Sequence, residues 1–367
     1  MFAKDKKSGA AAERCIFWIL PLLLLVTGCT GIGAARIDGD RGNYNQAIQR
    51  TNDEQLLLNL VRLKYRDTPF FMEVSNVASQ FIFTAGADAT SGISEGALST
   101  FGVFGAEASF QERPTITYTP LQGDQFIKRV LAPITLQTIA LLYDSGWKID
   151  RLFLLCLQRM NTAKNALSAT GPTPDLAPDY EGFSQAVRIL RQFQSQDRME
   201  LILEIQNKSP QLVMKFDVEA QDSAELREFA SLVGVPPDNG RFKLTALDGS
   251  QNIRIKTRSL LGIMYYLSQG IEIPVRHQEQ GIVTITHDAS GRVFDWDNIT
   301  GDLFKIRSAD GRPNSATIAV KHRGTWFYID DADLSSKSTF SLLAQIFSLQ
   351  AGGGAGGGLL LTLPVGQ

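Results

Sequence analysis

The sequence predicts an α+β fold: an N-terminal helix and a long β-hairpin, further helices, then a mixed or antiparallel sheet with packed helices. Three patterns predict it. Apolar residues recur at helical spacing up to residue 65, small and aromatic residues alternate with polar ones between residues 79 and 110, and short β-branched runs interleave with helical stretches after residue 180.

The first helix is expected over residues 44–65. Leu56, Leu57, Leu60, Val61 and Leu63 supply its apolar face, and Arg50, Asp53, Glu54 and Arg62 its solvated one. Asp67-Thr68-Pro69 ends it, because a residue before proline leaves the α region. In the hairpin, Ser79, Phe81, Phe83, Ala85, Ala87 and Ala89 fall at period two against Gln80, Thr84, Gly86, Asp88 and Thr90. A Gly/Ser-rich turn follows over residues 90–96. A second alternating segment sets Thr100, Gly102, Phe104, Ala106, Ala108 and Phe110 against Phe101, Val103, Gly105, Glu107 and Ser109, and residues 115–119 add another strand.

Residues 123–146 turn helical, broken at Pro133 and capped by Gly146, and another helix is expected over 149–160. Pro172, Pro174 and Pro178 make residues 163–180 a linker and a candidate boundary between a domain at 45–162 and one at 181–350. In the second domain, helices are expected at 180–194, 224–233, 259–268 and 338–349. Strands are expected at 199–205, 211–218, 242–247, 252–256, 282–286, 304–308, 317–322 and 325–329. Arg323-Gly324 is a tight hairpin signal. Residues 351–367 form a Gly-rich tail with a terminal apolar segment.

The N-terminus carries three signals of export. Lys4, Lys6, Lys7 and Arg14 are basic, residues 15–26 are almost wholly apolar, and that run is too short to span a bilayer, which takes roughly twenty residues. Leu25-Val26-Thr27-Gly28-Cys29 resembles the lipobox of bacterial lipoproteins. The resemblance implies cleavage between Gly28 and Cys29 and acylation of Cys29, and Gly31, Gly33, Gly39 and Gly42 among small residues read as a flexible tether over residues 29–44. Thr30 implies the outer membrane, since Asp in that place retains such proteins at the inner one.

The formal net charge of −2 and the lack of a basic block argue against nucleic-acid partners. Of three cysteines, Cys15 lies in the signal and Cys29 carries the lipid. Cys156 is left in an apolar run as a small core residue. Chemistry is thinly supported. Gly31-Ile32-Gly33 lacks the preceding strand of a dinucleotide fingerprint. His277 and Glu279 share a face only if they lie on a strand, and His287-Asp288 lacks ligand spacing. Asp295 with Asp297, and Asp330, Asp331 and Asp333, read as turns and helix caps rather than as a cation site or acid/base pair. The glycine run after Ala351 lacks the Lys-Ser/Thr of a phosphate loop. No cofactor or metal is expected. Trp296, Trp326 and Tyr328 are the candidate binding surface, with Phe327 on the opposite strand face from the last two.

Residues 52–69 (Asn52 through Pro69) and 323–334 (Arg323-Gly324-Thr325-Trp326-Phe327-Tyr328-Ile329 and the acidic run after it) resemble uncharacterised bacterial envelope lipoproteins. That resemblance implies localisation and carries no catalytic residue. The expected role is non-enzymatic: a lipid-anchored envelope protein that joins an outer-membrane assembly through contacts with other envelope proteins or with copies of itself. Two alternatives stay open. The 70–119 hairpins of several copies could form a barrel, as in a secretion channel, or the chain could bind cell-wall polymer or hydrolyse it with Asp295 or Asp330.

Overall fold

The computed structural model describes residues 32–90, 103–206, 209–236, 239–245 and 252–351, with backbone alone at 32–41, 75–90, 103–114, 206 and 209. The export signal, Gly28 and Cys29, the hairpin tip at 91–102 and the Gly-rich tail lie outside the described residues. The fold is α+β, as the sequence predicts. The chain divides into two compact units, residues 1–52 and 53–367, and the division falls within the first helix, α1 (Ile32–Lys64).

That helix corrects the expected tether. It begins at Ile32, so Gly33, Gly39 and Gly42 lie in it. Each glycine costs about 1 kcal/mol against alanine, but no proline interrupts the run, and propagation from an established helix needs no new nucleus. Its C-terminus closes without glycine. Arg66 takes the left-handed conformation (φ 59°), Asp67 N donates to Arg62 O (2.8 Å) and Arg66 N to Leu63 O (3.1 Å). This is a Schellman closure.

Strands β1 (Met72–Thr90) and β2 (Val103–Pro120) pair antiparallel along their whole length and form a two-stranded sheet of their own. The two predicted segments after residue 98 are one strand, continuous through Pro114, which lies opposite Ser79. A proline is tolerated because each strand has an outer edge that bonds to no other described strand. The register pairs Phe83 with Phe110, Ala85 with Ala108, Ala87 with Ala106 and Ala89 with Phe104. The two alternating sets seen in the sequence therefore share one face of the ribbon.

Helices α2 (Asp124–Leu131), α3 (Leu136–Asp144) and α4 (Ile149–Cys156) follow, with Gly146 at φ 89° after the α3 cap. The last helix stops four residues early, because residues 157–160 form strand β3 (Leu157–Met160). The expected boundary at 163–180 is absent. β3 and β4 (Ala163–Lys164) belong to one six-stranded mixed sheet, ordered β4-β3-β8-β7-β6-β5, with β5 (Met199–Gln206), β6 (Ser209–Phe216), β7 (Arg241–Thr245) and β8 (Asn252–Thr257). Only β7 and β8 run parallel.

Arg258 explains why the proline-rich segment is no linker. It is fully buried, donates to the carbonyls of Leu154, Leu155, Leu157 and Asn165 and to Thr170 Oγ1, and lies 4.1 Å from the Tyr266 ring centroid. Five acceptors hold 154–170 as a wrap around one guanidinium. Burial lowers its pKa to about 10, so it stays charged at neutral pH. A single core runs from Leu56 to Ile346, through both expected domains.

Helices α5 (Glu181–Ser195), α6 (Val218–Gln221), α7 (Ala224–Val233) and α8 (Leu260–Ser268) complete the central part. After α9 (Val275–Glu279) and α10 (Asp297–Thr300), strands β9 (Arg307–Ala309), β10 (Ala316–His322) and β11 (Thr325–Asp330) form an antiparallel sheet ordered β10-β11-β9. The β10–β11 turn has Arg323 at φ 48° and Gly324 at φ 83°, both positive as a type I′ turn requires. The final helix, α11 (Leu334–Ala351), starts four residues before the expected position. The expected strand at 282–286 joins no ladder, and the one at 304–308 shortens into β9. Among the described residues no helix is long and apolar enough to cross a membrane.

Candidate functional site

The C-terminal end of α1 gathers most of the buried polar chemistry. The apolar stripe Leu57, Leu60, Val61 continues at the same helical spacing to Lys64, which is 4% exposed. Lys64 Nζ donates to Gln269 Oε1 (2.9 Å) and lies 5.8 Å from the Trp296 ring centroid. Gln269 is fixed in turn: its Oε1 also accepts from Thr173 Oγ1 (3.1 Å), and its Nε2 donates to Tyr265 O (3.1 Å). No carboxylate forms an ion pair with Lys64 among the described residues. Loss of hydration without a counter-ion brings its pKa down to about 7.

Lys64 forms part of the wall of a cleft of about 290 Å³, shared with Gln269, Glu272, Ile285, Trp296 and Lys305. Asp297, also on the cleft, is paired with Lys305 (2.5 Å), and Asp295 accepts from Asp297 N (2.9 Å). The Trp296 indole N–H donates to Thr286 Oγ1 (3.2 Å), which donates to Pro174 O (2.7 Å). An amine near neutrality in a cleft can bind an anion when protonated and act as a base or nucleophile when not.

Next to it, Tyr65 ties α1 to the three-stranded sheet. Its hydroxyl shares a hydrogen bond with His277 Nδ1 (2.6 Å), its ring meets those of His322 and Phe327 edge-on, and the Arg323 guanidinium lies over it. Burial, above all, raises the phenol to about 12 and lowers His277, whose pKa Arg276 and Arg323 lower further. Both partners of that bond are thus held neutral. Asp67 accepts from Arg323 Nη2 (2.9 Å) and His322 Nε2 (3.1 Å). Burial outweighs Asp67 and keeps the His322 pKa below its ordinary value. Residues 52–69 and 323–334 therefore touch in space.

The same helix holds the root of the long hairpin. Asn59 donates to Phe70 O (2.7 Å) and accepts from Phe70 N (2.9 Å). Gln55, one turn earlier, donates to Met72 O (3.0 Å) and accepts from Met72 N (2.7 Å). Two side-chain amides pair with the incoming strand as a neighbouring strand's backbone would. Leu121 N donates to Phe71 O (2.9 Å) and brings the two ends of the hairpin together.

No family model, curated protein or solved structure matches this chain. The site therefore rests on its geometry.

The expected binding surface is divided. Trp296 lines the cleft, whereas Trp326 and Tyr328 do not. Phe327 is buried, its two neighbours are half-buried, and the Arg312 guanidinium covers Trp326 at 5.5 Å. His277 and Glu279 lie on α9 rather than a strand, with His277 bonded to Tyr65. Among the described residues no group of His, Cys, Asp and Glu is arranged to hold a metal. Asp288 closes a turn on Ser290 and Arg292, and Asp330 accepts from Ser315 Oγ and Ala332 N. Asp333 caps α11 through Ser336 N and Oγ. Cys156 is free and fully buried, with its thiol pushed up to about 12 by burial. Lys64 and Tyr65 were not among the expected site residues. The available signal was a lysine at the seven-residue repeat of an otherwise apolar stripe.

Proposed function

We propose that this chain is a lipid-anchored protein of the bacterial outer membrane that assembles with copies of itself, its hairpins pairing edge to edge into a closed β-barrel. One observation carries the reading: β1 and β2, 19 and 18 residues long, form a two-stranded sheet that pairs with no third strand among the described residues. An isolated two-stranded ribbon is marginal in water, and both outer edges present backbone groups that another copy can pair. Closure removes those edges.

The register supports a membrane-facing ribbon. Positions 83, 85, 87 and 89 share a face with 104, 106, 108 and 110, and all eight are Phe or Ala, with Glu112 opposite Phe81 at its end. The other face over the same stretch holds Thr84, Asp88, Glu107 and Ser109. Residues 81–90 rise about 34 Å untilted, and a bilayer strand needs about 9–11 residues tilted near 45°. A lipid on Cys29 would hold the chain beside the membrane that such a barrel crosses.

The acylated protein, extracted in detergent and imaged by negative stain, is expected to give rings, and after reconstitution to conduct ions across liposome membranes. A stable monomer without conductance overturns the reading. Ala87→Arg puts a charge on the apolar face, at about 2–4 kcal/mol per strand at the bilayer midplane, and is expected to abolish conductance. Thr84→Arg, on the other face, is expected to retain it.

A further inference from the structure

The segment 282–286, Ile-Val-Thr-Ile-Thr, has the composition of a strand, and sequence reading assigns it as one. In the structure it is no strand, and the backbone N–H and C=O groups of Val283, Thr284 and Ile285 make no hydrogen bond among the described residues. Half-buried backbone is seldom left unpaired. The segment is nevertheless fixed at both ends: Ile282 N donates to His277 O, His287 N donates to Asp175 O, and Phe294 N donates to Thr286 O.

Those same residues line the Lys64 cleft. Thr286 joins them to Trp296, over whose ring the Lys64 amine lies. The two cations on the cleft differ. Lys305 is neutralised by Asp297, and among the described residues Lys64 has only the Gln269 amide. Of the acids present, Asp297 is held by Lys305 and Asp295 by a backbone N–H, and Glu272 is exposed.

We propose that this cleft takes an extended peptide segment, which adds as a strand along residues 283–285 and sets a carboxylate against the Lys64 ammonium. The unpaired backbone supplies main-chain recognition, and the buried amine supplies a charge-assisted bond for the C-terminal carboxylate of the segment. The volume, about 290 Å³, encloses only a short stretch of such a ligand. A small carboxylate alone would leave the strand-like backbone unused.

The test uses a short N-acetylated peptide of alternating alanine and threonine with a free C-terminal carboxylate, its C-terminal amide, and a backbone N-methylated version of the acid. Binding to the full-length protein is read by calorimetry. The free acid is expected to bind at least about tenfold more tightly than the amide, and the N-methylated peptide to lose binding. Lys64→Met is expected to erase the acid–amide difference. This variant removes a buried charge, so its thermal melt provides a check that it is folded. Equal binding of acid and amide, unimpaired binding of the N-methylated peptide, or no binding of any of them overturns the proposal. Barrel formation is read separately by imaging and conductance, so either proposal can fail alone.

Discussion

Lys64 and Arg258 are both buried cations without a carboxylate, yet they stand in opposite relation to stability. Arg258 has five hydrogen-bond acceptors and an aromatic face, and each is a group that the arginine itself satisfies. Arg258→Met would strand the buried carbonyls of Leu155 and Asn165 at about 1–3 kcal/mol each, while those of Leu154 and Leu157 keep the Asn165 side-chain amide. We expect a loss of more than about 3 kcal/mol in urea unfolding; a loss under about 1 kcal/mol would show that the wrap at 154–170 does not depend on it. Among the described residues Lys64 has a single neutral acceptor, and it forms part of the wall of a cleft. Its folded pKa of about 7 lies below its unfolded value of about 10.4. The unfolded chain therefore binds the extra proton between those values, and stability rises with pH over that window. Below pH 7 the full penalty applies, roughly 4–5 kcal/mol. Lys64→Met is expected to be more stable than the natural protein by that amount at pH 6, less about 1 kcal/mol for the lost hydrogen bond. The gap should shrink toward zero near pH 10, and urea midpoints at the two pH values decide it. A gap independent of pH would mean that the amine is not desolvated. A residue so costly to the fold is best understood through what it meets in the cleft.

At the scale of elements, what was legible in the sequence was what periodicity encodes. The hairpin register follows from two alternating runs, the Arg323-Gly324 turn from its dipeptide, and α7 and α8 from their apolar spacing. What was hidden depends on partners distant in the chain. The 163–180 segment reads as a linker because its prolines and small residues suit one, and only Arg258, more than seventy residues later, makes it part of the core. Residues 282–286 read as a strand because composition reports a preference for pairing and not the presence of a partner. Gln55 and Asn59 lie one turn apart and meet Met72 and Phe70, two residues apart, because a helical turn of about 5.4 Å nearly matches two strand residues. Asn59→Ala removes both bonds to Phe70 and leaves its N–H and C=O without partners, at an expected cost of about 1–3 kcal/mol. Amide hydrogen exchange at Phe70, which donates to Asn59, should quicken, while that at Met72 rises less because Gln55 still holds it. Unchanged exchange at both would show that the clamp is not what fixes the hairpin root.

At the scale of the whole molecule, the hairpin and the core are separable in a way that can be measured. The core from Leu56 to Ile346 draws on Phe71 at the root and, among the described side chains of the hairpin, on none at 72–74 or 115–120. Phe71 and Leu121 are already joined by a 2.9 Å backbone bond, so the chain enters and leaves the ribbon at one point. Replacing residues 74–118 by a short glycine-containing turn would shorten a loop, and loop length contributes only about 0.6 kcal/mol per doubling. The shortened protein is therefore expected to melt cooperatively within a few degrees of the natural one. It should keep the Lys64 cleft, the Asp67–Arg323 pair and the same pH dependence of stability. It should also lose every trace of ring formation and conductance, because the edges that would pair between copies are gone. If it fails to fold, the ribbon is part of the core after all. If it folds and still forms rings, the copies meet through another surface, and the hairpin is not the assembling element.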